Sequence, residues 1–324
     1  MKRIVVATLL GAALILGRAA GAEEAAKVYR VGWLGVGAAD KPNSSLEALR
    51  LGLHDLGYVE GRTYVFEQRW WSGRPGDLPA LARSLESADI DVLVAQGLAV
   101  WGVTSVKRVP VVYGYSGDPV AAGFAQSLAR PAGNMTGATY MAIEINGKRL
   151  ELIREILPAI RRVAILSNPQ HPGEAQEIDE SRAAAKGLGL RLHYLPVRSA
   201  EDVAAALAAI RTAQDQAIIG VPDAGLGLYR GRIGEFALQA RLPVVFGWKN
   251  WIEPGALLTY GPSQDESWRN VAPYVDKVLK GAKPADLPIM RPSRFELAVN
   301  LKTAKVLGIA IPESVLARAD EVIE

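Results

Sequence analysis

The sequence predicts an α/β protein made of two doubly wound parallel-sheet lobes, joined by a hinge that the chain crosses more than once. Three observations carry this expectation. Short apolar runs alternate with amphipathic helical segments, one pair roughly every 20 to 30 residues, the length of successive βα units with right-handed crossovers. Several runs are apolar on consecutive rather than alternate residues, which suits strands covered on both faces. The rhythm breaks once, between Phe124 and Glu144, and resumes at Arg161 with nearly the same pitch. A chain of 324 residues is long enough for two lobes with cores of their own.

The predicted strands are Val31–Val36, Thr63–Phe66, Ile90–Ala95 and Val109–Tyr113, followed by Val163–Leu166, Leu190–Leu195, Ala217–Val221 and Val244–Phe246. Helix starts are marked between them. Ser44 with Glu47 forms a capping box ahead of Leu46, Leu49, Leu53 and Leu56, and Gly57 supplies the stop. Ser199 with Asp202 repeats the device ahead of Val203, Leu207 and Ile210. Asp118 before Pro119 reads as another helix cap. The stretch Ala129 to Gly137 is too rich in Gly and Pro for a helix and serves as the first inter-lobe segment. A return crossing is expected near Trp251 to Tyr260 and a third near Lys283 to Arg291. The first lobe then comprises residues 27–138 and 257–284, the second residues 139–256 and 285–324. Asn134, Thr136 and Tyr260 are the expected hinge residues.

Charge and composition exclude several classes. Lys2 and Arg3 precede the apolar run Ile4 to Leu16, and Ala20-Gly21-Ala22 offers a small-residue cleavage site before Glu23. This reads as an export signal over residues 1–22, its apolar core too short to span a bilayer. Removing Lys2, Arg3 and Arg18 leaves 34 basic against 34 acidic side chains. A neutral chain with no basic cluster longer than Lys107-Arg108 lacks the footprint of a nucleic-acid binder. The absence of cysteine excludes disulfide scaffolds, thiol chemistry and a lipid anchor on an N-terminal cysteine. A monomer free in the periplasm is the expectation.

Enzyme motifs fail on spacing. Gly35-x-Gly37-x-x-Asp40 follows the first strand but lacks the last glycine of a dinucleotide turn, and Glu67 lies within the second strand instead of ending it. Gly114-Tyr115-Ser116-Gly117-Asp118 resembles a nucleophile elbow with its second glycine one position early. A hydrolase using Ser116 would need His171, since His54 lies within a helix and His193 within a strand. Three scattered histidines at no ligand spacing give no metal site, and no cofactor is implied. What remains are polar and aromatic residues just past strand ends, where ligands sit in open α/β sheets. They are Val36 and Gly37; Gln96, Gly97 and Leu98; Tyr115 and Ser116; Asn168; Asp223; and Trp248. Each alone reads as a cap or turn, but the group supplies hydroxyl, amide, carboxylate and aromatic chemistry to one sheet edge. Asp223 is suited to an ammonium group. Trp33, Trp71, Trp101 and Trp248 are the aromatic candidates for the cleft.

Several stretches resemble a known family. They are Gly52 to Gly61, Gly117-Asp118-Pro119-Val120, Ser127 to Gly137, Lys148 to Leu152, Tyr274 to Ala282, and the tail Phe295 to Thr303 with Arg318 to Ile323. Residues 28–324 resemble the ABC-transporter substrate-binding proteins related to the tryptophan-binding periplasmic protein, of type I periplasmic-binding fold. The resemblance implies a soluble receptor that closes around a small solute and docks on a membrane permease, with no catalysis by this chain. Where relatives often carry Gly-Thr and small residues, this chain has Gly97-Leu98-Ala99-Val100-Trp101. The lost hydroxyl sets an aromatic carboxylate without an amine beside a hydrophobic amino acid as the expected solute. A periplasmic hydrolase using Ser116 and a sensory ligand-binding module are the rival readings.

Overall fold

The computed structural model describes residues 27–74, 76–140, 144–171 and 173–324. The segment read as an export signal lies outside them. The first lobe runs through β1 (Tyr29–Val36), α1 (Ser44–Asp55), β2 (Tyr64–Trp71), α2 (Asp77–Glu86), β3 (Val92–Gln96), α3 (Val100–Val103), β4 (Val111–Tyr115) and β5 (Met135–Thr139). The chain then builds α4 (Glu144–Ile156), β6 (Arg162–Ser167), α5 (Glu174–Gly187), β7 (Arg191–Pro196), α6 (Ala200–Ala213) and β8 (Ile218–Gly220). It continues with α7 (Ala224–Gly227), α8 (Arg230–Gln239), β9 (Val244–Phe246) and β10 (Leu258–Pro262). Next comes α9 (Gln264–Leu279), which returns to the first lobe. The tail is β11 (Phe295–Asn300), α10 (Leu301–Leu307), α11 (Glu313–Leu316) and β12 (Glu321–Ile323).

The first sheet is parallel throughout, in the order β2-β1-β3-β4-β5. Its consecutive apolar residues divide between two cores because neighbours in a strand point to opposite faces. Val31, Trp33, Val92, Val94 and Val112 pack with Leu46, Leu49 and Leu53 of α1 and with Trp268, Val271 and Val275 of α9. Leu34, Leu93, Ala95, Val111 and Tyr113 pack on the other face with α2 and α3. Each buried Leu or Val contributes about 1.5–3 kcal/mol relative to exposure. Helix α1 therefore lies where its leucine stripe demands. Its cap is Asn43 rather than Ser44: the Asn43 side chain accepts from the Leu46 amide at 2.9 Å, so the helix starts one residue earlier than the capping box implied. Ser199 caps α6 as expected, accepting from the Asp202 amide.

The second sheet has the order β12-β11-β10-β9-β8-β6-β7. Its one antiparallel pair is β10–β11, so β11 and β12, parallel to each other, run opposite to the other five strands. Helices α4 and α5 cover one face through Leu150, Ile153 and Ile178, and α6 and α8 cover the other through Val203, Leu207 and Ile233. Three sequence expectations are corrected here. Strand β10 pairs with β9 and β11, so residues 258–262 complete the second sheet rather than the first. Residues 284–290 stay with the first lobe: the Leu287 carbonyl accepts from Thr136 Oγ1 at 2.7 Å, and Ile289 is buried against that lobe's core. Asp118-Pro119 starts a turn, not a helix, in which Asp118 Oδ1 accepts from the Val120 amide at 2.7 Å.

The three crossings follow Tyr140, Pro262 and Met290, and they lie side by side. The Thr139 amide donates to the Met290 carbonyl at 2.9 Å, and the Ser263 amide to the Arg294 carbonyl at 3.4 Å. Thr136 and Tyr260 sit in the strands leading into them. Asn134 does not: it lies at the opposite end of β5, where its amide holds the carbonyls of Val106 and Val109 at 2.8 and 3.1 Å.

Gly137 in β5 has a φ of 148°, and a Cβ there would collide with the backbone of Tyr113 in the neighbouring strand. Gly137→Ala is expected to destabilise the first lobe by more than about 2 kcal/mol. Urea denaturation should show this as a lower midpoint at an unchanged slope.

Candidate functional site

The carboxyl ends of β1, β3 and β4 in the first lobe face those of β6, β8 and β9 in the second, across a cleft of about 660 Å³. That volume is in the range of small-molecule sites. Val36, Gly37, Gln96, Gly97 and Ser116 line it from the first lobe, and Leu228, Arg230 and Trp248 from the second. Gln96 shapes the near wall by accepting from the Val36 amide at 3.2 Å and from Asn43 Nδ2 at 3.0 Å. It thereby ties the loop after β1 to the end of β3. Leu98 packs across the gap instead of lining it. Gly225 receives it there, and a Cβ on that glycine would lie 3.1 Å from Leu98 Cδ1 and 2.9 Å from Asp223 Oδ1.

The aromatic candidates separate. Trp248 lines the cleft, is 5% exposed, and has no hydrogen-bond partner for Nε1 among the described residues. Trp33 is core, in edge contact with Trp268 at 5.3 Å. Trp71 turns outward and donates from Nε1 to the Arg74 carbonyl at 2.7 Å, while Trp70 faces Trp33. Trp101 packs on Phe124 at 4.9 Å and is partly exposed. Two aromatic liners escaped the sequence reading: Trp268 from α9, and Tyr140 at the first crossing. Tyr140 follows β5, a strand the apolar runs did not mark, and Trp268 lies on a helix that returns from the second lobe.

Behind the cleft stands a buried polar cluster of the second lobe. Asp223 is fully buried at the start of α7; Oδ1 accepts from the Leu226 amide at 3.0 Å and from Asn168 Nδ2 at 3.4 Å. Its Oδ2 has no partner among the described residues. His171 follows the Asn168 turn and reaches the other lobe: its Nε2 is 3.1 Å from Ser116 Oγ, and its ring lies 6.0 Å from that of Tyr115. Its Nδ1 is 3.7 Å from Glu177 Oε2. Deeper still, Arg149 of α4 donates from Nε to the Tyr260 carbonyl at 2.8 Å and from Nη1 to Asn146 Oδ1.

Burial governs the charges. It pushes the Glu177 carboxyl up to about 8, against the pull of Arg149 and with help from Asp223 and Glu174. It lowers the Arg149 guanidinium to about 10, which still leaves it charged at neutral pH. His171 is held below its ordinary value by the same loss of solvent, partly offset by Asp223 and Glu174. Tyr115 is raised, first by burial and then by Asp223. Arg149 and Glu177 had a signal in the sequence: each interrupts the buried stripe of its helix, Arg149 beside Leu152 and Ile153, Glu177 beside Ile178 and Ser181.

Ser116, His171 and Glu177 thus stand in the order of a nucleophile, a base and an acid. The arrangement lacks the geometry of a triad. At 3.7 Å the imidazole and carboxyl are beyond hydrogen-bond reach, and a carboxyl uncharged at neutral pH stabilises no imidazolium. Ser116 and His171 also belong to different lobes, so the pair exists only while the lobes touch. No group of three or more His, Cys, Asp or Glu among the described residues is arranged to hold a metal ion.

The family profile described as ABC transporter substrate binding protein matches residues 41–323. The chain belongs to this family. One curated relative of this ABC transporter substrate-binding protein is a tyrosine-binding protein of Clostridioides difficile (strain R20291). It is 22% identical over 264 residues, covering 79% of this chain and 74% of the relative. A domain from Streptococcus pneumoniae in complex with L-Trp superposes with a TM-score of 0.84 at 24% identity, over 92% of this chain and 100% of that one. A conserved domain protein from Vibrio cholerae O1 biovar El Tor gives 0.81 at 27% identity, over 91% and 100%. The ligand-free, open structure of a substrate-binding protein with adhesive properties from Clostridium difficile gives 0.64 at 19%, over 91% and 99%. These superpositions establish the type I periplasmic-binding fold. No described helix is long and apolar enough to cross a membrane.

The raised Glu177 carboxyl makes a stability prediction. From the ordinary carboxylate range up to about 8, the unfolded chain gives up this proton and the folded chain keeps it. The wild type should therefore lose stability over that window, by at most about 1.4 kcal/mol per pH unit from this group. Glu177→Gln lacks the effect, so its stability relative to wild type should rise between pH 5 and pH 8 in chemical denaturation.

Proposed function

We propose that this chain is the solute-capturing receptor of an ABC importer, taking an aromatic or other hydrophobic amino acid in the periplasm and handing it unchanged to a membrane permease. The observation that carries this reading is the pairing of an aromatic cleft with opposite charges. Trp248, Trp268 and Tyr140 offer ring surface. Behind the cleft, Asp223 holds a buried carboxylate oxygen with no donor among the described residues, a costly state that a ligand ammonium would relieve. Arg230 lines the mouth and donates to the Gly227 carbonyl, with no carboxylate partner among the described residues, so it is available to a ligand carboxylate. A zwitterion with a ring satisfies all three, which favours an amino acid over an acid lacking the amine. The relatives named for tyrosine and crystallised with L-Trp support the same class.

Capture works by closure. A solute that touches both lobes stabilises the closed arrangement by its extra contacts there, and the hydrogen-bonded crossings absorb the rotation. The receptor acts as a monomer, and nucleic acid has no place in the reading. The export signal read over residues 1–22 supports the periplasmic location.

A thermal-shift series with L-tyrosine, L-tryptophan and 3-phenylpropionate tests the proposal. An amino acid at 100 times its Kd should stabilise the protein by about 2.7 kcal/mol. That corresponds to a rise of several degrees in Tm, roughly 2–4 °C per kcal/mol for a domain of this size. Asp223→Asn, which keeps an oxygen for the Leu226 amide, should abolish the shift for amino acids. Equal shifts with the deaminated acid, or chemical conversion of the bound amino acid seen by mass spectrometry, would refute the reading.

A further inference from the structure

His171 is the one histidine buried between the lobes, and the solute-binding reading gives it no task. Away from the crossings it makes the side-chain hydrogen-bond contact described across the cleft, 3.1 Å from Nε2 to Ser116 Oγ. The other contacts between the lobes there are apolar: the Tyr115 ring against the imidazole, and Leu98 against the turn at Gly225. We propose that His171 is the positioning residue of lobe closure, joining the halves through Ser116 while neutral and releasing them when it takes up a proton, so that acidification opens the cleft and weakens solute retention. The latch itself stands on the inter-lobe geometry, and its consequence for solute rests on the reading above.

The surroundings of the ring decide the sign. Tyr115 and Ser116 face it from the end of β4, Glu174 and Glu177 from α5, and Asp223 from the start of α7, with Arg149 of α4 behind Glu177. An imidazolium needs an acceptor for each nitrogen and a nearby counter-charge. Nδ1 has no hydrogen-bond partner among the described residues, and neither has Glu177 Oε2. Glu177 stays uncharged until about pH 8, so it supplies no counter-charge. Glu174 and Asp223 compensate in part, and Tyr194 already donates to Glu174 at 2.8 Å. Burial prevails and disfavours the charged ring while the lobes touch.

Opening removes Tyr115 and Ser116 from the ring and admits water, which makes the charged form inexpensive. The closed state therefore binds fewer protons than the open one. Its advantage is complete above the ordinary histidine value of about 6.5 and declines as pH falls below it, by at most about tenfold per pH unit. Glu177 and Arg149 lie on α5 and α4, which pack together within one lobe, so opening leaves that helix pair in place.

Because the chain has no cysteine, spin labels can be placed on Ala80→Cys in α2 and Gly231→Cys in α8, both exposed positions on opposite lobes. Label distances are to be measured between pH 5.5 and pH 7.5, with and without L-tyrosine as the probe. The wild type should lose closed population several-fold at the acid end, and its affinity for L-tyrosine should fall in the same window. His171→Gln, whose Nε2 takes the place of the ring nitrogen without titrating, should be flat. Ser116→Ala should lower the closed population at every pH. A wild-type distance distribution that does not move with pH, or an equal pH dependence in His171→Gln, overturns the latch. Failure of L-tyrosine to bind at any pH counts against the solute class alone, because the label distances still read the latch.

Discussion

The architecture depends on the backbone hydrogen bonds that hold the three crossings together. The Thr139 amide on the Met290 carbonyl and the Ser263 amide on the Arg294 carbonyl bind the connections into one narrow strip. Because they lie along a single edge, they hold the lobes along one line instead of on independent tethers. The line runs past β5 and β10, and that places the carboxyl ends of both sheets opposite each other. Several groups on or behind the cleft wall reach it by this route: Gln96 and Ser116 at the ends of β3 and β4, Asp223 and Trp248 after β8 and β9.

The two faces of the cleft differ in how polar groups are kept. The first lobe offers a floor of aromatic rings and backbone tied down by Gln96. In the second lobe a guanidinium, a protonated carboxyl, a neutral imidazole and a carboxylate are stacked inward from α4 to α7. That stack is expensive to desolvate, and it holds few charges: the Arg149 guanidinium stays charged against the pull of burial, while burial favours the neutral forms of Glu177 and His171. The site is therefore set by the lobe's interior as well as by the loops that touch solute.

Much of the fold was legible because buried parallel strands write themselves as unbroken apolar runs. All eight predicted strands exist, with shifts of a few residues at their ends. The four that escaped have physical excuses. Strand β5 lies at the end of a Gly- and Pro-rich stretch and needs Gly137 for its close approach to Tyr113. Strands β10 and β11 pair antiparallel at the far side of a crossing, and β12 has three residues on an edge. In the cleft, several of the residues picked by the strand-end rule lie on its wall, Gln96 and Ser116 among them, whereas Leu98 packs across the gap. The rule missed Trp268, because a helix on a returning segment reaches the site only through tertiary packing. It also named Trp33, which lies within β1 and packs in the core, beside Trp248, which follows β9 and lines the cleft.

One further consequence follows from α9. It fills the groove beside α1, with Gly52 allowing the two backbones to touch, yet it is separated from β5 by the greater part of the second lobe. During synthesis the first lobe must wait for these intervening residues with Leu46, Leu49 and Leu53 uncovered on one side. At about 5–20 residues per second that delay is roughly six to twenty-five seconds. Chain order thus leaves the core of the first lobe incomplete until α9 has been made, long after the strands that it covers.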